Sequence, residues 1–181
     1  MLHPYGGPVR RAILVAKRGG RSDVFRGFGR ELAHRWRLVS ANVTELGEPL
    51  LVTWVPASRR GKADRGYDQG RLMAEVVAAE LGLRAARLLR RGSGSQLGRS
   101  RDQRLGGVAV RARGDVTGPV LLVDDVITTG ASLTAAAARL RLAGAGAVHG
   151  LTVAWAASAE ELAAGRPHPG GRTGRGVSGA A

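Results

Sequence analysis

The sequence predicts an α/β domain with a mainly parallel sheet flanked by helices, and three observations lead there. Residues 50–55 and 120–123 are apolar runs of strand length without polar alternation, as expected of strands buried on both faces. Stripes of apolar residues at helical spacing lie between and around these runs, so strands alternate with helices. The chain has 181 residues, 44% hydrophobic and 23% charged, which suits one globular domain with a real core.

The elements follow in order. Pro8 sits near the first position of a short amphipathic helix carrying Val9, Ala12, Ile13 and Ala16, which Lys17-Arg18-Gly19-Gly20 stops. Ser22-Asp23 is expected to cap a second helix, whose stripe is Phe25, Phe28, Leu32 and Trp36; core packing accounts for it. His34 lies beside that stripe, partly exposed and without a role. Residues 42–49 connect to the strand at 50–55, which Pro56 ends. A polar loop is expected over 57–67. Asp68 can cap a helix carrying Met73, Val76, Val77 and Leu81, closed by Gly82. Short strands are expected at 83–89 and 108–110. Between them, 90–107 is rich in Arg, Gly, Ser and Gln with no period and reads as a long mobile loop, a type that often serves as a lid. Leu133, Ala136, Ala137 and Leu140 mark a helix after 120–132, with Ser132 placed to cap it and Gly144 to end it. A last strand spans 147–155. The domain is expected to occupy 1–164, and 165–181, with almost nothing to bury, to form a disordered tail.

Composition narrows the function classes. There is no cysteine, hence no disulfide and no thiolate metal site. No apolar run approaches the roughly 18 residues of a membrane span, and the first residues lack the charged and apolar regions of a signal peptide, so a cytoplasmic location is expected. The formal charge of +14 favours polyanionic partners: phosphorylated substrates, nucleic acid or acidic surfaces. Nine arginines against one aspartate lie between Arg84 and Arg113. Arginine filling ordinary solvated positions is the plain alternative in a chain this rich in Ala, Gly and Arg.

The most specific stretch is 120–132. An apolar strand leads into Asp124 and Asp125, then a loop of small and hydroxyl residues, then a helix. In a parallel sheet such a loop lies at the carboxyl ends of the strands, where ligands bind. Loop and first-turn N–H groups can cradle a phosphate, Thr128, Thr129 and Ser132 add hydroxyls, and Gly130 lets the backbone close in. Two carboxylates before such a cradle suit vicinal hydroxyls beside a phosphate, as in ribose 5-phosphate. An ordinary buried strand ending in a solvated acidic turn is the bland reading. No Ser-His-Asp or paired-acid hydrolase arrangement competes.

The stretch Val120-Leu121-Leu122-Val123-Asp124-Asp125-Val126-Ile127-Thr128-Thr129-Gly130-Ala131-Ser132 resembles the signature of type I phosphoribosyltransferases, which bind phosphoribosyl pyrophosphate (PRPP). The resemblance implies that Asp124 and Asp125 hold the ribose hydroxyls. It places the 5-phosphate on Val126, Ile127, Thr128, Thr129, Gly130, Ala131 and Ser132. Other segments resemble the ComF-type, competence-associated members of that family: Tyr5 with a Val-Arg helix and Lys17 before glycines, the Val55-Pro56 turn, Arg65-Gly66-Tyr67-Asp68-Gln69, Leu89-Arg90-Arg91, Gln96 and Arg104. Tyr67 and Asp68 stand where Phe and Asn are usual, Arg99 replaces a Leu and Gly107 an Asn. The four-cysteine zinc ribbon of many members has no counterpart here.

The resemblance implies a type I phosphoribosyltransferase-like fold with a small hood and a flexible lid. It implies pyrophosphate binding by Pro56, Ala57, Ser58, Arg59, Gly66, Tyr67 and Gln69, and catalytic roles for Arg65, Gln96 and Arg104. The cofactor implied is Mg²⁺, held through the substrate's own oxygens rather than by protein side chains alone. Transfer of the phosphoribosyl group to a nitrogen nucleophile is the expected activity, within nucleotide metabolism. The alternative is a non-catalytic component that binds PRPP or single-stranded DNA in regulation or DNA uptake, with DNA-uptake proteins as partners. The sequence does not fix the oligomeric state, and a homodimer is consistent with it.

Overall fold

The most apolar run of the chain becomes the middle of the sheet. The computed structural model describes residues 2–40, 50–92 and 110–156, with Arg59 described by its backbone alone. Strand β6 (Val120–Ile127) pairs in parallel with β2 (Leu51–Trp54) on one side and β7 (Val148–Trp155) on the other. Strands β1 (His3–Pro4) and β3 (Arg84–Ala85) extend the sheet, giving the order β1-β7-β6-β2-β3 with every pairing parallel. The expected α/β architecture, a mainly parallel sheet flanked by helices, is the one the chain adopts.

Val120, Leu121, Leu122 and Val123 are all fully buried, because both faces of β6 are covered. Side chains alternate across a strand. Leu121 and Val123 therefore pack with Ile13 and Ala16 of α1 (Gly7–Gly19), Phe25, Leu32 and Trp36 of α2 (Ser22–Ser40), and Met73 and Val77 of α4 (Gln69–Leu81). Val120 and Leu122 pack on the opposite side with Ala136 and Leu140 of α5 (Ala131–Leu142) and with Leu89 and Val110. Leu89 and Val110 belong to a separate antiparallel ribbon of β4 (Leu89–Arg91) and β5 (Val110–Ala112). Each such Val or Leu contributes about 1.5–3 kcal/mol on full burial.

Several expectations are corrected. Residues 57–67 are not all loop: Arg59–Arg65 form helix α3. Its N-cap is Ser58, whose Oγ accepts the Gly61 N–H at 2.9 Å, and Gly66 closes it in the left-handed conformation. The strand expected over 83–89 divides into β3 and β4, which lie in different sheets. The acidic pair lies within β6 rather than after it, since pairing with β7 continues through Val126↔Ala154 and Ile127↔Trp155. Gly130, not Ser132, is the N-cap of α5, and Ser132 lies inside the helix. The Asp23 carboxylate is taken by Arg21 at 2.7 Å and 2.9 Å.

Asp68 does cap α4, accepting the Arg71 N–H at 3.3 Å, and Gly82 ends it. The lid expected over 90–107 begins with Arg90 and Arg91 in β4. Its part from 93 onward, with Gln96 and Arg104, lies outside the described residues, as does the tail at 165–181.

Candidate active site

The carboxyl end of β6 gathers groups from four elements. Strand alternation sends Asp125 to the face shared by Leu121 and Val123, and Asp124 to the face of Val120 and Leu122. Backbone bonds fix both carboxylates: Asp124 Oδ1 accepts the Asp125 N–H at 2.9 Å, and Asp125 Oδ1 accepts the Val126 N–H at 2.8 Å. Asp125 Oδ2 meets Lys17 Nζ of α1 at 2.5 Å and accepts from Gln69 Nε2 of α4 at 3.3 Å.

The two acids are electrostatically unequal. Burial, then the neighbouring charge of Asp125, pushes the Asp124 carboxyl up to about 8, with Lys17 pulling against both. Its carboxyl group lies well inside the protein although the residue as a whole keeps some exposure. Asp124 therefore holds its proton more readily than an ordinary carboxylate, and in that form can donate as well as accept a hydrogen bond. Arg91 approaches from β4. Its Nε donates to the Pro56 carbonyl at 3.1 Å, burial lowers its guanidinium pKa, and Asp68 and Asp124 oppose that shift.

The loop beyond the pair has the features of an anion cradle. Thr128 and Thr129 are exposed, and Gly130 takes φ +74°, which L side chains rarely adopt. Three donors of the first turn of α5, on Ala131, Ser132 and Leu133, have no acceptor within the helix. Thr134 N–H is the first to bond back, to the Gly130 carbonyl at 2.9 Å, and Ala131 N–H reaches Thr129 Oγ1 at only 3.4 Å.

The Pro56 turn lies beside this centre, joined to it through Arg91, and Ala57 N–H donates to Asp68 Oδ2 at 3.3 Å. The Ser58 hydroxyl serves as the helix cap described above. Arg65 occupies the last turn of α3, and its Nε is buried without a hydrogen-bond partner among the described residues, as is Gln69 Oε1. The Tyr67 hydroxyl donates to the Ala16 carbonyl at 3.1 Å, its ring packs edge-on to Phe25, and burial raises its phenol pKa. Sequence reasoning missed Lys17 and Arg91 as members of the site. The signal available for Lys17 was its place before the glycines that end α1. Among the described residues no three His, Cys, Asp or Glu side chains converge as a metal-binding group, and no helix is long and apolar enough to cross a membrane.

No protein-family model matches the chain, and no curated protein matches it. Among solved structures, it is similar to the allosteric regulatory enzyme of purine biosynthesis, at 24% identity and TM-score 0.49 over 71% of this chain and 25% of that one. It is also similar to glutamine PRPP amidotransferase from B. subtilis, at 22% identity and TM-score 0.49 over 71% and 26% of the two chains. Adenine phosphoribosyl transferase from Trypanosoma brucei is similar at 19% identity and TM-score 0.41, over 75% of this chain and 55% of its own. The chain thus spans about a quarter of the length of the first two.

Proposed function

We propose that the protein binds PRPP with Mg²⁺ and transfers its phosphoribosyl group to a nitrogen nucleophile, releasing pyrophosphate. The observation that carries this reading is the end of β6: two carboxylates fixed by backbone bonds, followed by a hydroxyl-rich loop whose amides open a helix. The ribose hydroxyls would lie on Asp124 and Asp125, and the 5-phosphate on the loop from Val126 to Ser132. Arg65 and the Pro56–Arg59 turn, with Gly66, Tyr67 and Gln69, are the proposed pyrophosphate side. Gln96 and Arg104 are the proposed lid contribution.

The reaction breaks the bond between C1 and the pyrophosphate oxygen, and the electron pair leaves with pyrophosphate. The nitrogen lone pair forms the new bond to C1, and the nitrogen's proton passes to solvent. The chain's task is to hold the sugar, neutralise the leaving group and exclude water. The donor set fits Mg²⁺ held mainly by ligand oxygens and water, because Asp125 already has Lys17 and, among the described residues, no three His, Cys, Asp or Glu side chains converge. The ion would supply charge neutralisation on the pyrophosphate.

A second reading, PRPP or single-stranded DNA binding without turnover, has one observation in its favour. Arg90 and Arg111 stand directly opposite each other on the β4–β5 ribbon, both exposed, with no carboxylate partner among the described residues. Like charges so paired are unfavourable unless an anion lies between them. A screen for pyrophosphate release from PRPP with nucleobases, ammonia and other amines separates the readings. Turnover with any acceptor supports the enzyme; PRPP binding with no release across the panel supports the module.

A further inference from the structure

The acidic pair creates a difficulty for an anionic ligand. A charged Asp125 beside a phosphate cradle would repel the phosphates that the cradle is shaped to receive. The structure answers this from a part of the chain remote in sequence. Lys17 Nζ lies 2.5 Å from Asp125 Oδ2, with Lys17 only 29% and Asp125 11% exposed at their side chains. Pairs this well enclosed are weakly screened by salt, unlike surface ion pairs.

Lys17 is also held in place. It belongs to the last turn of α1, where a cation meets the negative end of the helix dipole favourably. The turn is anchored on both sides: Ile13 and Ala16 are fully buried, and the Ala16 carbonyl accepts from the Tyr67 hydroxyl and from the N–H of Arg21. Gly20 then turns the chain away in the left-handed conformation. Gln69 reaches the same carboxylate oxygen from α4, so Asp125 is clamped between two helices.

We propose that Lys17 is a positioning residue of the sugar site: from α1 it neutralises and orients Asp125, so that the acidic pair accepts the hydroxyls of a phosphorylated sugar instead of repelling its phosphates. This rests on the PRPP reading above. It makes the N-terminal helix part of the binding site, not only a cover for the sheet. The groups that act on the pair are Lys17 from α1 and the non-titrating Gln69 from α4, both on Asp125, and Arg91 from β4 near Asp124, with Asp68 acting on Arg91 in turn.

The test is calorimetric titration of the full chain with PRPP and Mg²⁺ between pH 6 and 9, for the unaltered protein, Lys17→Met, Lys17→Gln and Lys17→Arg. Circular dichroism checks that each variant folds. Lys17→Met should bind at least about tenfold more weakly, the loss of one charge-assisted contact. Lys17→Gln, which keeps a hydrogen bond but no charge, should be equally weak and remains informative if the Met variant fails to fold. Lys17→Arg should recover most of the affinity. The pH profile should change in the two uncharged variants and be kept in Lys17→Arg, a difference that a merely structural role would not produce. Unaltered affinity and profile in Lys17→Gln would overturn the proposal while leaving the PRPP reading intact. So would an Arg variant as weak as the Gln variant. Failure of the unaltered protein to bind PRPP would overturn both.

Discussion

At the scale of single residues, the site is a place where stability has been given up. The Asp124 carboxyl, raised to about 8 by burial and by Asp125, holds its proton in the folded chain at pH values where the unfolded chain has released it. Its contribution is therefore fully present below the ordinary carboxylate value near 3.8 and is lost as pH rises toward about 8. Asn at this position keeps the shape and an acceptor for the Asp125 N–H but has no proton to lose. Asp124→Asn should accordingly gain stability over the unaltered protein as pH rises from about 5 to about 8, on the order of 1 kcal/mol or more. Urea midpoints measured across that window check this. Parallel curves for the two proteins would contradict the burial of an uncompensated carboxyl. Arg65 belongs to the same scale: a buried Nε with no partner among the described residues is costly unless a ligand supplies an acceptor.

At the scale of elements, the close approach of α2 and α4 fixes the layer from which α1 and α4 reach the acidic pair. Gly29 makes that approach possible, because a Cβ there would lie 2.8 Å from the Val76 Cβ and 3.1 Å from the Met73 carbonyl oxygen. Gly29→Ala should destabilise by about 1–3 kcal/mol despite the better helix propensity of alanine. A thermal melt unchanged or raised in that variant would show that the helices can separate freely. Elements with a continuous apolar run or a full apolar stripe, such as β6, β7, α2 and α4, were legible in the sequence because burial itself writes the pattern. Helix α3 was not, since Arg59–Arg65 has no apolar stripe and only its caps, Ser58 and Gly66, mark it. The extension of β6 through the acids was hidden because carboxylates in a strand are disfavoured locally and are held there by pairing with β7. The order of the acidic pair, loop and helix was plain from residues in sequence. The Lys17–Asp125 pairing was not, because it depends on the topology that brings α1 beside the end of β6.

At the scale of the whole molecule, the +14 charge and the proposed PRPP site make separable claims. If the exposed arginines of β4 and β5 bind single-stranded DNA, affinity should fall steeply with salt through counterion release. Arg90→Ala with Arg111→Ala should reduce it, and the reduction should be nearly indifferent to sequence, since the ribbon offers no aromatic platform. Fluorescence anisotropy at low and moderate salt measures this; no binding at low salt would leave these arginines as solvated surface. The central claim is that the end of β6 holds the ribose of PRPP, and it is tested most directly by calorimetric titration of PRPP with Mg²⁺ into the unaltered protein and into Asp124→Asn/Asp125→Asn. The account predicts a measurable affinity in the first. In the second it predicts a loss of roughly tenfold to a hundredfold with the fold retained, as each carboxyl group gives up one of its two acceptor oxygens and charge-assisted bonds to the hydroxyls are lost. Equal PRPP affinity in the two folded proteins would contradict it.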